Sequence, residues 1–134
     1  MIVLISGCTD SEMISPNPNQ CYEGIVIAGD CPSLLFVQVT NAQIGESWEL
    51  IHNQDLYEQA TYNNAISINN IHQFSDLDLQ FGDKVYFTIN TEASKDPNAC
   101  IASTVCTADV RFQSYPNKRY CINTISKQSC NEAN

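Results

Sequence analysis

Seven cysteines in a chain of 134 residues, at positions 8, 21, 31, 100, 106, 121 and 130, constrain this protein more than any other feature. Cytosolic chains rarely keep so many thiols unless they bind metal or carry out redox chemistry. Neither alternative fits. The sequence has no Cys-x-x-Cys, and His52 and His72 stand far from every cysteine, so zinc-ligand spacing is absent. The expectation is a small domain that folds in an oxidising compartment and is stapled by disulfides. The odd count gives one cysteine a different fate.

The opening "MIVLISGC" indicates which one. Ile2 to Ile5 form an apolar run, and the small residues Ser6 and Gly7 precede Cys8. Ile5, Ser6, Gly7 and Cys8 resemble the lipobox of bacterial lipoproteins: an aliphatic residue, a second residue, a small residue and the cysteine. That resemblance implies that Cys8 is lipidated, that residues 1–7 are a residual signal segment, and that the mature chain is anchored to the outer membrane. The run is shorter than a full signal and no Lys or Arg precedes it, so the precursor is expected to start upstream. The alternative is that "MIVLIS" is a first strand and Cys8 an ordinary thiol. Removing Cys8 leaves an even set, Cys21, Cys31, Cys100, Cys106, Cys121 and Cys130, as expected if every other thiol is paired. Residues 8–20 are polar, carry two prolines and lack apolar periodicity, which suits a flexible tether. Within them Asp10 and Glu12 are similar to the surface-export signal of Bacteroidota lipoproteins. Residues 21–134 then form a single domain.

Fifteen Asp and Glu against six Lys and Arg give a net charge of −9. Phosphate backbones and anionic lipid surfaces repel such a molecule, so no nucleic-acid partner is expected, whereas a cationic partner would be attracted. Hydrophobic residues make up 43% of the chain, too many for a disordered one.

From Cys21 onward the sequence alternates with period two. "YEGIVIA" is followed by the turn signal "GDCPS" and by "LLFVQVTN", where Leu35, Val37 and Val39 alternate with Phe36, Gln38 and Thr40. In "NNAISINNI", Ile66 and Ile68 oppose Ser67 and Asn69. In "DKVYFTINTE", Val85, Phe87 and Ile89 oppose Tyr86, Thr88 and Asn90, and "RYCINTI" is the last strand. Five such segments predict an all-β domain. The segment "GESWELIHNQDLYEQATY" fits neither period and stands as helical turns or an irregular strand pair. Five strands with an insert and a long loop before the fifth suggest a small, OB-like Greek-key barrel, with a small β-sandwich as the alternative.

An extended "YEGIVIA" separates Cys21 from Cys31 by about 20 Å, so they cannot bond to each other. The position numbers of the pairs 21–130 and 31–121 have nearly the same sum, as an antiparallel arrangement produces, and Cys100 with Cys106 would close a short loop. This is the favoured one of fifteen connectivities open to six cysteines.

Catalytic chemistry is hard to place. His52 lies in the ambiguous insert and His72 just after a strand, with no nucleophile motif nearby, and both read as exposed polar residues. Asp76, Asp78 and Asp83 are hard ligands in a loop and the weak candidates for calcium, but without EF-hand spacing; no metal or other cofactor is expected. Trp48, Tyr57 and Tyr62 in the insert, with acids Glu46, Glu49, Asp55 and Glu58, would make a contact surface of aromatic anchors inside a charged rim. The alternative is that these rings belong to the core.

The reading is therefore a non-catalytic lipoprotein of the cell envelope, held on the membrane through Cys8. It would act as a protein-binding module or as an accessory subunit of an envelope assembly. The alternative is an inhibitor of a cationic enzyme, since small disulfide-bonded lipoproteins that block lysozyme are similar in size and anchoring.

Overall fold

A computed structural model describes residues 16–30, 33–51, 60–101 and 114–130. Seven strands form within them: β1 (Tyr22–Asp30), β2 (Leu34–Val39), β3 (Glu46–Leu50), β4 (Ala60–Ile68), β5 (Lys84–Ile89), β6 (Arg119–Tyr120) and β7 (Ile122–Ser126). Three short 3₁₀ turns, Ile71–Phe74, Ala93–Lys95 and Pro97–Cys100, complete the regular structure. The expected all-β class holds, and no helix among the described residues is long and apolar enough to cross a membrane.

The strands make one sheet in the order β3-β4-β2-β1-β5-β7, antiparallel throughout that path, with the two residues of β6 lying parallel on β4. The hydrogen-bonded path is open and does not close into a barrel. The last predicted strand is split at Cys121: Tyr120 pairs with Ile68 of β4, and Ile122 pairs with Ile89 of β5. One residue thus carries the chain from one part of the sheet to another.

Period-two alternation produced the main core. Val85, Phe87 and Ile89 are wholly buried, together with Val37, Ile66 and Ile68, and Tyr22, Val26 and Tyr120 pack into the same cluster. The opposite face of β2 and β4 carries the alternating set that includes Phe36 and Ser67. It is buried as well: Phe36 is 0% exposed and Ser67 1%, so the middle of the sheet is covered on both sides. Phe36 is covered by Tyr115 and by Trp48 of the segment whose period was ambiguous, which forms β3 and the start of β4, an irregular strand pair.

The irregularity has a local cause. Between the paired residues Glu46–Ala65 and Trp48–Tyr62, β4 advances by three residues while β3 advances by two, which is a β-bulge. Asn64 occupies it with φ of 57°, the left-handed region that asparagine tolerates better than most residues. Its amide group fastens the neighbouring loop: Nδ2 donates to the Val39 carbonyl at 2.9 Å and the Ala42 carbonyl at 2.6 Å, and Oδ1 accepts from the Gly45 N–H at 2.6 Å. At Gly45 the approach is so close that a Cβ would lie 2.5 Å from the Asn64 backbone.

Two disulfides join described residues, Cys21–Cys130 and Cys100–Cys121. The first agrees with the favoured connectivity, although not for the reason that suggested it. β1 and β7 flank β5 on opposite sides, so they run parallel to each other and are not neighbours. The pairings 31–121 and 100–106 are overturned, because Cys121 is bonded to Cys100. The spacing argument considered strands alone, and the 3₁₀ turn Pro97–Cys100 decided the matter. Asn69 Nδ2 donates to the Pro97 carbonyl at 3.0 Å, and Ser94 Oγ accepts from the Cys121 N–H at 2.8 Å, which sets Cys100 beside Cys121 with Cα atoms 6.3 Å apart. Cys8, Cys31 and Cys106 lie outside the described residues.

Candidate functional site

The two faces of β2 separate the molecule into its main core and a smaller aromatic layer. That layer consists of Ile27, Phe36, Trp48, Leu50 and Ala65, with Leu34, Tyr62 and Tyr115 packed against it. Trp48 and Tyr62 are directly paired across β3 and β4, which puts them on one face. Phe36 lies under both tryptophan and Tyr115, with ring centroids 5.3 Å and 5.6 Å away in tilted geometry. The Trp48 indole N–H donates to Ser114 Oγ at 3.2 Å, so the segment before β6 is pinned on the hairpin. Asn117 extends the same clamp, its N–H donating to Glu46 Oε2 at 2.7 Å.

Of the three rings proposed as anchors, two are brought together here, while Tyr57 lies outside the described residues. Trp48 is only 4% exposed and packs on Phe36 within the layer. Tyr62 and Tyr115, both half-buried, each pack against the layer. Glu49 pairs with Thr61 and projects from the opposite side of the hairpin, so it does not belong to a rim around the rings. Asp55 and Glu58 are outside the described residues. Tyr115 and Phe36 were not singled out with Trp48 in the sequence. Tyr115 lies 67 positions further along it, and only the β6 crossover brings the two together.

Several buried and half-buried polar groups are tied into the fold. Ser33 Oγ donates to the Asn69 carbonyl at 2.5 Å and stands 3.2 Å from His72 Nδ1. A hydroxyl has one proton, and this one is engaged with the carbonyl, so His72 is the donor in their contact. That polarity is the reverse of the one that activates a serine nucleophile. His72 is half-buried rather than exposed, and His52 lies outside the described residues. Asn70 imitates a strand: its side chain donates to the Ile122 carbonyl at 3.0 Å and accepts from the Ile122 N–H at 2.9 Å. The sequence offered no signal for this clamp beyond the pair "NN" at the end of a strand.

Asp83 accepts from the Gln80 N–H at 2.8 Å, which holds its carboxyl below the usual carboxylate range, and Lys127 at 3.2 Å adds to this. Asp76 and Asp78 are exposed, and among the described residues no three His, Cys, Asp or Glu side chains group closely enough to hold a metal ion. Tyr120 is the most perturbed group. Its hydroxyl donates to the Ile44 carbonyl at 2.6 Å, and burial, followed by the charges of Tyr22 and Glu46, pushes its pKa up to about 12. A phenol so placed stays neutral and serves as a structural donor.

Comparison of the chain with protein families, curated proteins and solved structures found no match.

Proposed function

We propose that this protein is a non-catalytic, membrane-anchored lipoprotein of the cell envelope, working as a protein-binding module or an accessory subunit of an outer-membrane assembly. The observation that carries the reading is the pair of disulfides Cys21–Cys130 and Cys100–Cys121 on a chain that opens with a lipobox-like Ile5–Cys8. Disulfides persist outside the reducing cytosol, and a lipidated Cys8 is the destination there that this sequence spells out. Cys21 is fastened to Cys130 where the tether meets the domain, so a membrane anchor would be joined to a covalently closed body.

An OB-like, partly open Greek-key barrel is the finer fold reading. Its support is the split last strand: β6 on β4 and β7 on β5 bring both sides of the sheet to one chain segment. Recognition in this reading uses the margin of the aromatic layer, Tyr62 with Tyr115, while Trp48 holds that margin rigid. No cofactor is invoked.

The net charge of −9 favours a second reading, inhibition of a cationic enzyme such as lysozyme. One experiment addresses both. Protein isolated from its own membranes is analysed by mass spectrometry and by pull-down after mild solubilisation. An acylated N-terminal Cys8 with a stoichiometric envelope partner is the expected result, capture on lysozyme favours the inhibitor, and an intact Met1 on the native protein ends the lipoprotein reading.

A further inference from the structure

The turn that leads into β5 carries a side chain that the fold does not need. Gln80 to Asp83 close a tight turn, with the Asp83 N–H donating to the Gln80 carbonyl at 3.0 Å and Gly82 at φ of 90°. The conformation requires glycine at position 82 and accepts almost any residue at position 81. Position 81 is a phenylalanine, and it is 72% exposed, whereas the other exposed large apolar side chain among the described residues, Ile101, is 37% exposed.

This ring is held out on a braced support. The Gly82 N–H donates to the Val26 carbonyl and the Val26 N–H to the Asp83 carbonyl, both at 2.9 Å, which ties the turn to β1. The Asp83 carboxylate caps Gln80 at 2.8 Å and pairs with Lys127 at 3.2 Å, which ties it to the end of β7. A turn braced this way has little backbone freedom to lose on binding, so only the ring is ordered.

The charges around it have a definite sign. Lys84 is paired with Glu23 at 3.7 Å and Lys127 with Asp83, so both nearby cations are matched. Asp76 and Asp78 are exposed in the same loop and, among the described residues, have no ion pair; Asp78 accepts only from Gln80 Nε2, at 3.4 Å. An aromatic tip in a loop that carries two unmatched carboxylates, one of them bonded to Gln80 of the turn, complements an apolar pocket with a basic margin. It is repelled by an anionic lipid surface.

We propose that Phe81 is a binding anchor that enters an apolar pocket on a partner protein, with Lys or Arg at the pocket's margin facing Asp76 and Asp78. The proposal rests on the reading of this protein as a binding module, and it places a contact on the Gln80–Asp83 turn, apart from the Trp48–Tyr62 hairpin.

The test uses the full chain in its own cells, with a photoreactive benzoylphenylalanine introduced at position 81 in one variant and at position 62 in another. A protein adduct from position 81 is expected, with its yield reduced at least tenfold by Asp76→Lys with Asp78→Lys at unchanged melting temperature. The adducted protein, once purified, should bind Phe81→Ala at least tenfold more weakly and retain Phe81→Leu. No adduct at 81, an adduct only with lipid or with a second copy of this chain, or binding indifferent to Phe81→Ala or to the charge reversal overturns the proposal. Adducts from position 62 alone reject the turn but leave the binding-module reading standing, whereas adducts from neither position reject both.

Discussion

Replacing Asn64 should strongly destabilise this domain. Asn64 makes three hydrogen bonds through its amide, to Gly45, Val39 and Ala42, from a backbone with φ of 57°. Alanine loses all three bonds at about 0.5–1.5 kcal/mol each and keeps a Cβ in the left-handed region, which adds about 1 kcal/mol. Asn64→Ala should therefore cost about 3–5 kcal/mol, a large part of the stability of a small domain. Glycine loses the same bonds but relieves the backbone, so Asn64→Gly should recover about 1 kcal/mol relative to alanine. Asn64→Asp keeps the acceptor for Gly45 and turns a carboxylate toward two carbonyl oxygens, so it should be at least as damaging as alanine. Urea unfolding of the unreduced proteins at pH 7, followed by circular dichroism, measures all three against the parent. If alanine costs less than about 1 kcal/mol, or glycine is no better than alanine, the bulge is not held by this side chain and the reasoning fails.

Three further outcomes are expected. Tyr120, with a pKa of about 12 in the folded protein, contributes stability that is fully present below pH 10 and is lost between about pH 10 and 12, about 3 kcal/mol in all; Tyr120→Phe should remove that component of the alkaline decline in urea midpoints. Peptide mapping without reduction should return Cys21–Cys130 and Cys100–Cys121, and Cys100→Ser with Cys121→Ser, which opens a loop of 21 residues, should cost about 3 kcal/mol in urea unfolding. Trp48→Ala, in a position 4% exposed against Phe36, should cost about 3–5 kcal/mol, and a variant that melts like the parent would show that the ring is not part of the packing.

The sequence by itself determined what local periodicity and composition control. Val85, Phe87 and Ile89 alternate with polar residues because a strand presents successive side chains to opposite faces, and all three are in the core. The cysteine count implied disulfides because thiol chemistry depends on compartment, and two bonds join described residues. What tertiary structure decided depends on contacts between residues distant in the chain. Period two marked Phe36 and Ser67 as facing away from the core, which they do, but not that a second layer would bury them. The burial of Phe36 depends on Trp48 and Tyr115, which come to it only once the sheet has assembled. The partner of Cys121 was likewise beyond spacing arguments. It was set by Ser94 and Asn69, whose hydrogen bonds dock a 3₁₀ turn against a strand junction, and a 3₁₀ turn of four residues has no periodicity to read. At Asn64 a single backbone angle converts an apparently regular strand into a bulge, because the asparagine amide finds three partners that no pattern along the chain reveals.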